Sequence, residues 1–96
     1  MGVRENKVER YLNAEVKKLG GITRKWVSPG IDGVPDRIVR LHRWPPGVVF
    51  MVEVKTVDGE LSAAQKREHQ RLRDAGFMVR TVYGEQGVDE FLKEVS

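Results

Sequence analysis

Val8, Tyr11, Leu12, Val16 and Leu19 recur at spacings of three and four, the period of a helix with one apolar stripe, and Gly20-Gly21 then supply a stop. The pattern predicts a first helix over Val3 to Leu19. Ile22 to Val27 reads as a short strand that ends at Ser28-Pro29-Gly30, and the loop continues through Asp32-Gly33 to Pro35. Asp36 to Leu41 is a second strand. Trp44-Pro45-Pro46-Gly47 is turn chemistry suited to a hairpin into a third strand, Val48 to Lys55, which is the most apolar segment and is therefore expected at the centre of a sheet. Beyond Asp58-Gly59, Ser62 has the character of a helix N-cap, helix-forming residues run to Ala75, and Gly76 stops them. Phe77 to Tyr83 makes a fourth strand and Val88 to Val95 a short final helix. The order α-β-β-β-α-β-α predicts an α/β fold with a four-stranded mixed sheet flanked by helices. Strands three and four are expected to be parallel and joined by a right-handed crossover.

At 96 residues there is room for one core, so residues 1–96 are expected to form a single domain. Apolar residues at 40% and charged ones at 32% are a globular composition. The absence of cysteine excludes disulfides, a thiolate zinc site and a cysteine nucleophile, and it fits the cytoplasm best. Even the most apolar stretch carries Glu53 and Lys55, so neither a membrane span nor a membrane partner is expected. The net charge of +3 is unevenly spread: residues 1–30 hold seven basic and three acidic side chains, whereas residues 31–60 hold four and five. A basic surface beside an acidic pocket suits a protein that grips phosphates and places a cation among them.

Alternation along the third strand projects Glu53 and Lys55 from one face, about 7 Å apart along the strand. They are either an exposed ion pair where the strand meets solvent, worth little, or a buried pair kept for chemistry. Asp36 opens the strand that the hairpin pairs with the third. Asp36 and Glu53 therefore fall at the same end of the sheet, where two carboxylates suit a hard divalent cation that also takes waters and phosphates.

Pro35-Asp36 followed by Glu53-Val54-Lys55 is the PD-(D/E)XK nuclease signature. Its surroundings, Gly33 to Val39, Val49 to Lys55, and Leu61-Ser62-Ala63-Ala64-Gln65-Lys66-Arg67-Glu68-His69, resemble the virus-type replication-repair nuclease (VRR-NUC) domain in its compact stand-alone form. Val8-Glu9-Arg10 and Leu19-Gly20-Gly21 extend the resemblance over almost the whole chain. It implies a restriction-endonuclease-like core and a Mg²⁺- or Mn²⁺-dependent endodeoxyribonuclease. Asp36, Glu53 and the Val54 carbonyl would bind the metal, joined directly or through water by an acid on the first helix, Glu9, with Glu5 as its rival. Lys55 would position and deprotonate the attacking water or stabilise charge on the phosphate. Gln65 matches the family's glutamine on the following helix, and its spacing from Leu72 turns it towards the sheet.

The resemblance also implies a homodimer similar to archaeal Holliday-junction resolvases, acting on branched or four-way DNA, and a phage or bacterial-host cytosol. The alternatives are a nuclease for flaps, nicks or plain duplex, and a non-catalytic nucleic-acid-binding module. The module gains nothing from acids that face phosphates. Arg4, Lys7, Arg10, Lys17, Lys18, Arg24 and Lys25 are candidate phosphate contacts, and Ser28 a further one unless it caps its loop. His42 and His69 lack the spacing of a metal pair and read as surface or half-buried side chains, His69 with a minor claim to lie near substrate. Trp26 and Trp44 are core or dimer residues, or stacking platforms for an unpaired base.

Overall fold

The computed structural model describes residues 3–96, with side chains from Asn6 onward. Its elements are α1 (Val3–Lys18), β1 (Gly21–Lys25), β2 (Arg37–Leu41), β3 (Phe50–Lys55), α2 (Ala63–Asp74), β4 (Met78–Tyr83) and α3 (Gly84–Val95), in the predicted order. The strands lie side by side as β1-β2-β3-β4. β1 and β2, and β2 and β3, pair antiparallel, while β3 and β4 pair parallel, so the most apolar strand is interior.

Alternation along β3 divides its side chains between two faces. Phe50, Val52 and Val54 join Val39, Leu41 and Val82 against Val8, Leu12 and Val16 of α1 and Val88, Phe91 and Leu92 of α3. Leu12 and Val16 are fully buried, which stabilises the fold by about 1.5–3 kcal/mol for each side chain. Met51, Glu53 and Lys55 point to the opposite face, on the side where α2 packs against β4. Trp44 resolves to the core: its ring centroid is 5.3 Å from that of Phe50, and its indole N–H donates to the Val95 carbonyl at 3.1 Å. Trp26 is half-buried in the β1–β2 connection.

The strands and α2 begin or end within two residues of their sequence-based bounds, but α3 begins at Gly84, four residues before Val88. Two glycines obscure that start, because each disfavours a helix interior by about 1 kcal/mol relative to alanine. Here they are required. Gly84 has φ +68°, and a Cβ on Gly87 would lie 3.3 Å from the Val82 carbonyl carbon, so the chain turns straight from β4 into a helix packed on it.

The β1–β2 connection returns over the first turn of α2. Trp26 N–H donates to the Asp36 carbonyl at 2.9 Å, which extends the ladder by one step. Gly33, at φ +88°, approaches α2 so closely that a Cβ would lie 2.5 Å from the Ala64 carbonyl oxygen. Gly33→Ala is expected to destabilise the protein by about 1–3 kcal/mol from backbone strain alone, measured by urea unfolding. It is also expected to lower cleavage by displacing Gln65.

Candidate active site

The β2–β3 register pairs Arg37 with Val52, and one further step sets Asp36 opposite Glu53. Cross-strand neighbours in an antiparallel pair project to the same face. Asp36 is anchored there by the Val54 N–H, which donates to its Oδ1 at 3.3 Å. On Glu53, Oε2 lies 3.7 Å from Lys55 Nζ and accepts from Gln65 Nε2 at 3.2 Å, and Oε1 lies 3.9 Å from His69 Nε2. The side chains of Glu53 and Lys55 are only 6% and 14% exposed, so this is a buried pair and not a solvated one. Desolvation makes such a pair poor value for stability, which points to a chemical use.

Two α2 side chains one turn apart meet Glu53 because of how that helix starts. Ser62 and Gln65 form a capping box: the Gln65 N–H donates to Ser62 Oγ at 3.1 Å and the Ser62 N–H donates to Gln65 Oε1 at 2.8 Å. With its amide oxygen committed to the cap, Gln65 presents its NH₂ group to Glu53. His69, four residues on, follows on the same helix face.

Asp36 is pushed up to about 6 from the usual carboxylate range, first by burial and then by the negative charge of Glu9, against the Val54 hydrogen bond, which favours the anion. Removal from water and a nearby carboxylate both raise the cost of ionising it. A bound cation would reverse that balance.

Glu9 lies at this end of the sheet, but its carboxylate is held by Arg37, with Nη1 to Oε1 at 2.7 Å. Arg37 Nη2 also donates to Asn13 Oδ1 at 3.2 Å and to Thr23 Oγ1 at 3.0 Å, and the Thr23 hydroxyl donates to Asn13 Oδ1 at 2.8 Å. Arg37 is 9% exposed. Adjacent strand residues face opposite ways, so Arg37 turns from the Asp36 face towards α1.

Among the candidate phosphate contacts, Arg10 and Lys25 line an open hollow of about 370 Å³ with Asn6, Glu9 and Asn13. Arg24 is exposed, and its Nη1 donates to the Thr23 carbonyl at 2.7 Å. Lys7 is 3.9 Å from Glu85, Lys18 is 2.7 Å from Glu15, Lys17 is exposed, and Ser28 is half-buried with its carbonyl accepting from the Ile31 N–H. The side chains of Arg4 and Glu5 lie outside the described residues. His42 is exposed, whereas His69 is wholly buried, contrary to its reading as a surface or half-buried side chain. Burial, then Arg73, lowers the His69 pKa.

Sequence reasoning missed Arg37 and the burial of His69. Strand alternation after Asp36 signals the first, and the four-residue spacing from Gln65 signals the second.

Among the described residues no three His, Cys, Asp or Glu side chains cluster as a ready cation cage. Two carboxylates and the Val54 carbonyl still fit a hard divalent ion, which takes one or two carboxylates and completes its shell with waters and substrate phosphate. They do not fit a closed zinc site.

No protein-family model matches the chain. A curated protein of Acyrthosiphon pisum secondary endosymbiont phage 1, "Putative nuclease p44", is 46% identical over 77 residues, which is 80% of each chain. A solved structure described as a VRR_NUC domain superposes with a TM-score of 0.87 at 33% identity, over 99% of this chain and 100% of that one. The chain belongs to the VRR-NUC nuclease family. Its restriction-endonuclease-like fold extends to Hjc of Archaeoglobus fulgidus, a Holliday junction resolvase, with a TM-score of 0.58 at 21% identity over 82% of this chain and 67% of that one. Among the described residues no helix is long and apolar enough to cross a membrane.

Proposed function

We propose that this VRR-NUC chain is a Mg²⁺- or Mn²⁺-dependent DNA endonuclease that acts as a homodimer on branched DNA. The observation that carries the reading is Asp36 set opposite Glu53 at one end of the sheet, with Lys55 Nζ 3.7 Å from the Glu53 carboxylate. Asp36, Glu53 and the Val54 carbonyl would hold the cation, with Glu9 reaching it through water. When bound, that ion supplies positive charge to a phosphoryl oxygen and acidifies a coordinated water.

The chain's own groups do the rest. Gln65 holds Glu53 in place. Lys55 orients the attacking water and offsets negative charge on the scissile phosphate. Arg10, Arg24 and Lys25, beside Glu9 and on β1, grip the phosphates that flank it. Lys55→Ala is expected to lower turnover by about 10²–10⁴-fold and to leave DNA affinity nearly unchanged, since one cation among several contributes little to the salt-dependent term. Equal losses in rate and affinity would make Lys55 a phosphate anchor instead.

Pairing of two chains is supported by the resolvase-like fold and by apolar surface at the β4 edge, where Phe77 is 49% and Met78 36% exposed. One site per chain requires a two-fold pair to cut opposing strands. The test is cleavage of matched four-way junction, flap and linear duplex substrates with Mg²⁺, Mn²⁺ or EDTA, alongside the solution mass by light scattering. A monomer that cuts linear duplex as readily as junctions would remove the junction reading and leave the nuclease chemistry in place.

A further inference from the structure

His69 is fully buried on α2; the Gly33 backbone lies close enough to favour its protonated form, yet neither ring nitrogen completes a well-formed hydrogen bond. A buried imidazole normally has at least one nitrogen satisfied, and each such group in a native fold calls for an explanation. Packing alone is a poor one, because leucine or phenylalanine fills a helix–sheet gap without polar atoms to desolvate. The surroundings offer a better one. Nε2 points at Glu53 and stops 3.9 Å from Oε1, roughly 1 Å beyond a hydrogen bond. The other oxygen of the same carboxylate already accepts from Gln65, one turn earlier on the same helix. The loop that carries Gly33 is seated on the first turn of α2 against Ala64 and Gln65, and the Gly33 backbone also reaches His69.

We infer that His69 is a positioning residue for the cation site: its Nε2–H closes on Glu53 Oε1 when the cation draws the carboxylate into place, so that Gln65 and His69 clamp the two oxygens from one helix face. The inference rests on the proposed binding of a divalent cation at Asp36 and Glu53. A carboxylate that ligates a metal has lone pairs left over, and the groups that engage them fix its orientation; removing such a group weakens metal binding by about 10–100-fold. Lys55 Nζ and Gln65 Nε2 both approach Oε2, at 3.7 and 3.2 Å, whereas His69 is the α2 side chain that faces Oε1.

The chain has two histidines, so ¹⁵N-histidine labelling gives a spectrum in which His42→Gln identifies the His69 ring signals. Adding Mg²⁺ to the full chain is expected to protect the His69 Nε2–H from exchange and move it downfield, and Asp36→Asn is expected to abolish that change while keeping Glu53. Calorimetric titration with Mn²⁺ is expected to show His69→Leu binding about 10–100-fold more weakly than the wild type, with His69→Gln, which retains a donor, losing less. If the wild type binds the cation yet the ring signals stay put, or His69→Leu binds as tightly, His69 is only packing and the inference falls while the proposed function stands. If the wild type binds no divalent cation, the proposed function falls and takes the inference with it. Should His69→Leu not fold, the wild-type ring spectrum alone decides.

Discussion

Asp36→Asn is expected to leave a folded protein that cleaves DNA at least about a thousandfold more slowly, because it removes one of two carboxylates that would hold the cation, whose contribution to the transition state is several kcal/mol. Asparagine keeps the oxygen that accepts the Val54 N–H, so the β2–β3 contact survives. The same substitution is expected to change the pH profile of the cation-free protein. The Asp36 carboxyl titrates at about 6 in the fold against 3.8 as its ordinary value, so the folded state binds its proton more tightly than the unfolded chain does. Stability from this group is therefore fully present below pH 4 and is lost as pH rises through 6. Asp36→Asn should flatten that fall, and urea unfolding between pH 4 and 7 without metal measures it. Because protons compete with the cation for Asp36, wild-type cleavage is expected to decline below about pH 6.

Arg37→Ala is expected to be the most destabilising single change, costing about 3–5 kcal/mol, since it leaves Glu9, 13% exposed, without its partner and removes two further donations. In a domain of this size that lowers the melting temperature by about 12 °C or more. Arg37→Met combined with Glu9→Gln should recover much of the loss, because with both charges removed no buried charge is left without its partner. Differential scanning calorimetry of the single and double variants measures the difference. Full stability of Arg37→Ala would show that the pair is only a surface interaction.

The contrast between these two sites explains what could be read from the chain. Asp36, Glu53 and Lys55 were legible because their placement depends only on strand alternation and one hairpin, both local properties. Gln65 was legible through helical spacing, although its capping role, which orients the amide, depends on a bond to Ser62 that spacing does not reveal. The family resemblance implies Glu9, with Glu5 as its rival, as the first-helix acid, whereas the capture of Glu9 by Arg37, 28 positions away, depends on how α1 crosses β2. The burial of His69 likewise depends on the docking of α2 against β4, and the early start of α3 on how closely Gly87 approaches Val82. What escaped the sequence is in each case a contact between elements.

The central claim is that Asp36 and Glu53 hold a divalent cation for phosphodiester hydrolysis. Its most direct test is the cleavage of an end-labelled four-way junction by the purified wild type in Mg²⁺ and in EDTA, with Asp36→Asn purified in parallel to exclude a contaminating nuclease. The expected result is strand cleavage by the wild type in Mg²⁺ and none in EDTA or by the variant. Equal cleavage by Asp36→Asn, or cleavage that survives EDTA, would contradict the account.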